Sequence, residues 1–220
     1  MVLPAIEPII SVDSFTDITC FSADDGTISV SATDNGIGPF TFQITSFDGA
    51  VAAINPTSST DITAEFTGLA PTTTPAGYIV TVRANPATNN CTTDSASILI
   101  AEPAIVDVPL TAITIVPFAC TAGNNGTFAS ISVSATGPGS VSGGSGTYLR
   151  YVFIDAVTSA VLQDGSNDTY IETTFIGTDR DYDIIVYDDQ GCSNSAAPTR
   201  VTITGYDELL TVSPAYTVSC

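Results

Sequence analysis

The chain of 220 residues has no His, no Lys and no Trp, and its four basic residues are all arginines: Arg83, Arg150, Arg180 and Arg200. Each absence removes a chemistry. Without His there is no imidazole to act as general base near neutral pH, to complete a common zinc site or to switch with pH, so Ser-His-Asp and Cys-His centres are excluded. Without Lys there is no Schiff base, no phosphate-loop lysine and no Lys-Asn isopeptide cross-link. Four arginines against 23 acidic residues leave a formal net charge of −19, which repels nucleic acid and anionic membrane surfaces. No apolar run approaches the length that crosses a bilayer, so membrane insertion is not expected. The opening Met1-Val2-Leu3-Pro4-Ala5-Ile6-Glu7-Pro8 lacks the basic and apolar regions of a signal peptide, and the chain reads as a piece of a longer exported protein.

What is present is a repeat. Cys20, then Asp25-Gly26-Thr27-Ile28-Ser29-Val30-Ser31-Ala32, begins again one hundred residues later as Cys120, then Asn125-Gly126-Thr127 and, after a three-residue insertion, Ile131-Ser132-Val133-Ser134-Ala135. Tyr216-Thr217-Val218-Ser219-Cys220 restarts the phrase once more. A fixed period of this length means tandem modules. The expected organisation is a first module over 1–103, a second over 104–204, and the start of a third over 205–220.

Both modules read as all-β. Ile28, Val30 and Ala32 alternate with Thr27, Ser29 and Ser31, the period-2 pattern of a strand with one buried face. Phe40, Phe42 and Ile44 continue it, then Ile62, Ala64 and Phe66, then Tyr78, Val80 and Val82, and Ser97-Ile98-Leu99-Ile100 closes the module. The second module echoes these with Tyr182, Ile184 and Val186, with Phe175-Ile176-Gly177 for Phe66-Thr67-Gly68, and with Val201-Thr202-Ile203. Registering Tyr151 on Phe42 needs one extra residue, which a β-bulge would absorb. About seven strands per hundred residues predicts tandem immunoglobulin-like β-sandwich modules, joined without a Gly/Ser-rich spacer and therefore semi-rigid.

Three phrases of the first module, Cys20 with Asp25-Gly26-Thr27-Ile28-Ser29-Val30, Gly36-Ile37-Gly38-Pro39-Phe40-Thr41-Phe42 and Gly77-Tyr78-Ile79-Val80-Thr81-Val82, and one of the second, Tyr182-Asp183-Ile184-Ile185-Val186-Tyr187-Asp188-Asp189-Gln190-Gly191-Cys192, resemble the SprB-type repeats, PKD-like modules of the surface adhesins of gliding bacteria. The resemblance implies an extracellular, cell-surface filament or adhesin stalk built from many such modules, with no enzymatic activity.

Cys20, Cys91, Cys120, Cys192 and Cys220 are disulfide candidates, since an exported all-β chain without His or a C-x-x-C pair points away from metal. Pairing within a module would close a loop worth roughly 4 kcal/mol on the chain-entropy model. Yet in a standard sandwich the first turn and the last hairpin lie at opposite ends, so a bond between neighbouring modules, Cys20 to Cys192, and unpaired thiols stay open alternatives. By the same end-to-end argument Asp24, Asp25, Glu102, Asp188 and Asp189 form a candidate calcium site at the module joint, because calcium takes several hard oxygen ligands. The alternative is an acidic surface that keeps the protein soluble. No cofactor is required.

The carboxylate clusters, which include Asp179, Asp181 and Asp183, also admit a glycoside hydrolase in principle, but no aromatic sugar platform accompanies them. Asn90, Asn125 and Asn167 begin N-x-[ST] triplets and read as surface loops. The expected function is a structural segment of a surface filament or adhesin stalk, with neighbouring repeats as partners and lateral self-association at sheet edges. The alternative is a module that grips a surface glycan or protein through Thr33–Pro39 and the Gly/Ser-rich Thr136–Thr147.

Overall fold

The structure is a computed structural model that describes residues 7–33, 37–84, 91–121, 125–174 and 176–205. The chain divides into two compact units, Met1–Ala104 and Ile105–Cys220.

The first unit contains β1 (Ile9–Thr16), β2 (Gly26–Thr33), β3 (Thr41–Phe47), β4 (Ala50–Ile54), β5 (Ser58–Ser59), β6 (Thr63–Leu69), β7 (Tyr78–Arg83) and β8 (Thr92–Asp94). They form two antiparallel sheets, β1-β2-β6-β5 and β4-β3-β7-β8. This is the strand order of an immunoglobulin-like sandwich. β2 alternates as the sequence requires, with Ile28, Val30 and Ala32 buried and Ser29 and Ser31 half-buried on the other face. Across the core lie Phe42 and Ile44 of β3 and Tyr78, Val80 and Val82 of β7. Burial of these apolar side chains is the main stabilising term, at about 1.5–3 kcal/mol for each large one. Ile62 departs from expectation: it precedes β6 and is exposed, while its carbonyl accepts the Ala32 N–H.

The second unit repeats the plan. After a turn of 3-10 helix at Leu110–Ala112 come β9 (Ile113–Val116), β10 (Ala119–Thr121), β11 (Asn125–Thr127), β12 (Ala129–Val133), β13 (Tyr148–Asp155), β14 (Val161–Gly165), β15 (Thr169–Glu172), β16 (Arg180–Asp188) and β17 (Thr199–Ile203). The sheets are β15-β12-β9 and β14-β13-β16-β17, with β10-β11 as a separate hairpin. The three-residue insertion after Cys120 is accommodated here: the simple turn at Cys20 becomes this hairpin.

Two registers tie the units together as repeats. Phe42 pairs with Val82 in the first and Tyr151 with Val186 in the second. The extra residue needed to superpose them sits in a register shift between Tyr148 and Arg150, where a bulge was called for. One correspondence moves, however. Opposite Ile28 stands Phe66, and opposite Ile131 stands Tyr170, which takes the Phe66 place that sequence pattern assigned to Phe175. Phe175 itself lies outside the described residues.

The closing strand of the first unit is split. β8 pairs with β7, then the chain leaves the ladder, and Ile98 returns to exchange both backbone hydrogen bonds with Tyr78. Between them Ser95 Oγ accepts the Val80 N–H at 3.0 Å, substituting for a missing carbonyl. Asn194 does the same in the second unit: its Oδ1 accepts Val186 N–H and its Nδ2 donates to Ile184 O. A buried backbone group must find a partner, and here side chains provide it.

Where the chain enters β7, Gly77 has φ +53 and a Cβ there would overlap the Ile98 carbonyl oxygen. Both the left-handed backbone and the contact demand glycine. Gly77→Ala is expected to destabilise the first unit by about 1–3 kcal/mol, measured by urea unfolding of the full chain; an unchanged midpoint would show that the turn yields freely.

Candidate functional site

The acidic side chains singled out by sequence fall into local groups. In the first unit the β1–β2 turn is built on carboxylates. Asp25 accepts the Thr19 N–H at 2.9 Å and the Thr19 hydroxyl, and these bonds lower its pKa from the ordinary value. Glu102 accepts the Ser22 N–H at 2.6 Å. Asp24 has φ +48, and Cys20 sits in the same turn. Asp24, Asp25 and Glu102 are thus brought to one end of the unit.

In the second unit Asp188 is buried, with 4% of its surface exposed. Its Oδ1 accepts the N–H groups of Gln190 and Cys192, and its Oδ2 accepts that of Ser145. It therefore closes the β16–β17 hairpin and binds that hairpin to the Gly/Ser-rich stretch before β13. Asp189 is exposed beside it. A carboxylate holding three backbone N–H groups is a structural member rather than a solvated surface charge. The corresponding residue of the first unit is Ala84: Ala84 N–H donates to Cys91 O as Asp188 N–H donates to Cys192 O. No group of three or more metal-ligating side chains occurs among the described residues.

The Gly/Ser-rich stretch Thr136–Thr147, the candidate binding loop of the second module, is pinned. Tyr148 donates to Gly143 O at 2.8 Å, Thr111 donates to Gly139 O at 2.9 Å, Asp107 and Ser142 exchange backbone hydrogen bonds, and Val141 is buried. Thr33–Pro39 is described only in part, since residues 34–36 lie outside the described residues. Asn167 donates its side-chain N–H to Thr169 O; the Asn90 and Asn125 side chains lie outside the described residues.

The trio Asp179, Asp181 and Asp183 does not converge. Asp179 accepts Gly205 N–H, Asp181 accepts the Thr202 hydroxyl, and Asp183 holds Arg200 in a two-bond pair at 2.8 Å each.

Sequence reading missed the most buried polar cluster. Asp155 and Glu172, 2% and 3% exposed, flank Arg180. Glu172 Oε2 also accepts the hydroxyls of Tyr182 at 2.7 Å and Tyr170 at 3.1 Å, while Oε1 accepts Thr174 N–H. Asp155 accepts the Val157 and Thr158 N–H groups and Arg180. Burial pushes the Tyr170 phenol up to about 12, reinforced by Glu172, and pushes Tyr182 up as well. The backbone of Thr158 and then Arg180 hold the Asp155 carboxyl well below the usual carboxylate range, against a burial that works the other way. The signal available in the sequence was weak: an arginine at the start of an apolar strand.

Cys20 and Cys192 are each disulfide-bonded. The side chains of Cys120 and Cys220 lie outside the described residues.

Residues 12–49 match the SprB repeat, so the resemblance holds over β1 to β3 of the first unit. No curated protein matches the chain. Among solved structures, fibronectin(III)-like modules of Clostridium thermocellum CbhA are similar at 18% identity and a TM-score of 0.33, covering 92% of this chain and 96% of that one.

Two outcomes follow from these bonds. A group whose folded pKa is depressed contributes stability that is complete above its unfolded value, near 4 for Asp, and that is lost as pH falls toward the folded value. Thermal melts of the full chain should therefore show Asp155→Asn less stable than the parent at pH 7, with the gap narrowing as pH falls below about 4; a gap independent of pH would remove Asp155 from the ionised cluster. Alkylation of the denatured, unreduced chain should leave Cys20 and Cys192 unlabelled, and reduction should expose both to label.

Proposed function

We propose that the chain is a structural segment of a long extracellular multi-repeat filament or adhesin stalk, of the kind that serves cell adhesion and gliding motility. The match of residues 12–49 to the SprB repeat carries this reading. It is supported by the recurrence of one sandwich plan in both units, down to equivalent registers at Phe42 and Tyr151. A formal net charge of −19 keeps such a displayed chain soluble. Neighbouring repeats are its first partners, and its work is mechanical rather than catalytic.

A second reading is favoured by the pinned stretch Thr136–Thr147. A Gly/Ser-rich segment fixed by Asp188, Tyr148 and Thr111 is preorganised, which lowers the entropic cost of gripping a glycan or protein. A saturable ligand lost on changing that segment, with the melting temperature kept, would select this reading over the stalk.

Antibodies raised against the chain should label intact cells of the organism that makes it, and brief external proteolysis should remove the label. Labelling that appears only after permeabilisation would overturn the placement outside the cell.

A further inference from the structure

Three of the four arginines are neutralised within the fold: Arg150 by Asp164, Arg180 by Asp155 and Glu172, Arg200 by Asp183. Arg83 has no carboxylate partner among the described residues, in a chain with 23 acidic side chains. It is also the only basic residue before position 150. It lies at the end of β7 on the outer face of the β4-β3-β7-β8 sheet, in a groove of about 340 Å³ whose other lining side chains include Thr41, Gln43, Thr45, Asn55 and Thr81. Gln43 Nε2 donates to Asn55 Oδ1 at 3.1 Å, which aligns the two amides side by side.

The same face of the second unit shows what is missing. By register Gln43 and Asn55 correspond to Val152 and Asp164, and Arg83 corresponds to Tyr187. There Arg150 stacks over the Tyr187 ring at 4.5 Å and makes a two-bond pair with Asp164 at 2.6 and 2.7 Å. The second unit supplies both cation and carboxylate, and its face is closed on itself. The first unit keeps a cation but has the neutral Asn55 where the carboxylate would be, which leaves Arg83 without an ion pair among the described residues and open to an anion from outside.

We propose that this face of the first unit binds a carboxylated saccharide, a uronic-acid unit of a surface or extracellular glycan, with its carboxylate on Arg83 and its hydroxyls on Gln43, Asn55 and the threonines. A guanidinium fork matches a carboxylate in a planar two-bond arrangement. Amides and hydroxyls offer both donors and acceptors, as a ring with several hydroxyls requires. An acidic peptide fits less well. Phe42 also lines the groove but is turned inward and 5% exposed, so the face is mainly polar and offers little to apolar peptide side chains, and a segment of closely spaced carboxylates meets more repulsion from the acidic chain than one carboxylate per sugar ring. The proposal stands apart from the stalk reading and holds wherever the chain is displayed.

The test is an NMR titration of the full chain with trigalacturonate, with the neutral galactose trisaccharide and a Glu-rich peptide as comparison probes. Saturable shifts should appear at the side-chain amides of Gln43 and Asn55 and at the Arg83 guanidinium, weaken with added salt, and be absent with the neutral sugar. Arg83→Gln should weaken binding by about tenfold or more, the value of losing one charge-assisted contact. Asn55→Asp, which supplies the missing internal carboxylate, should weaken it similarly while the melting temperature holds or rises. If Arg83→Gln fails to fold, the Asn55→Asp result and the shift map of the parent decide. Shifts confined to other residues, equal response to the neutral sugar, tighter binding of the Glu-rich peptide, or no saturable response at the solubility limit of trigalacturonate would each overturn the proposal.

Discussion

A tyrosine placed wholly inside a sandwich must still satisfy its hydroxyl, and much of each unit is arranged around that demand. Tyr78 and Tyr182 stand at the same point of their sheets and are 1% and 0% exposed. In the first unit the hydroxyl donates to Ala70 O at 2.9 Å, a backbone solution that involves no charge. In the second it donates to Glu172, and a buried carboxylate then needs a cation, which is Arg180. Opposite the tyrosine, register places Phe47 in one unit and Asp155 in the other. Phe47 stacks on the Tyr78 ring at 4.5 Å, whereas Asp155 holds Arg180. One choice of partner for a phenol has propagated into an apolar end in one repeat and an ionic end in its neighbour.

The inward faces were legible in the sequence because their physics is local. Alternation at Ile28, Val30 and Ala32 is dictated by the pleat, and the bulge near Tyr148 was forced by the need to bring Tyr151 onto Phe42. What escaped was non-local. Tyr170 taking the place assigned to Phe175 depends on strand register, which an aromatic followed by glycine imitates. The split of the closing strand of the first unit depends on Ser95, whose hydroxyl replaces a carbonyl as the acceptor of the Val80 N–H.

For the carboxylates the sequence supplied position but not employment. Asp188 and Asp189 are adjacent, yet one is buried among backbone N–H groups and the other is exposed. The difference arises from a glycine-rich segment more than 40 residues away, at Ser145. A cluster of like charges in a sequence is therefore no measure of free charge in the fold. Among the 23 acidic residues several are consumed by turns and arginines, and Arg83, which has no acidic partner among the described residues, is the more informative charge.

The chain leaves the first unit through a segment tied less to its own sheet than to the other end of the fold's wiring. Ile18 N–H donates to Ala101 O, Ala101 N–H to Asp17, Ser22 N–H to Glu102, and Thr72 N–H to Ile100 O. Tension applied at the exit thus reaches the end of β1 and its turn before it reaches the three-residue β8. Along the chain the short closing strand thus lies behind a clasp of hydrogen bonds, as the joint of a cord lies behind the grip at its plug.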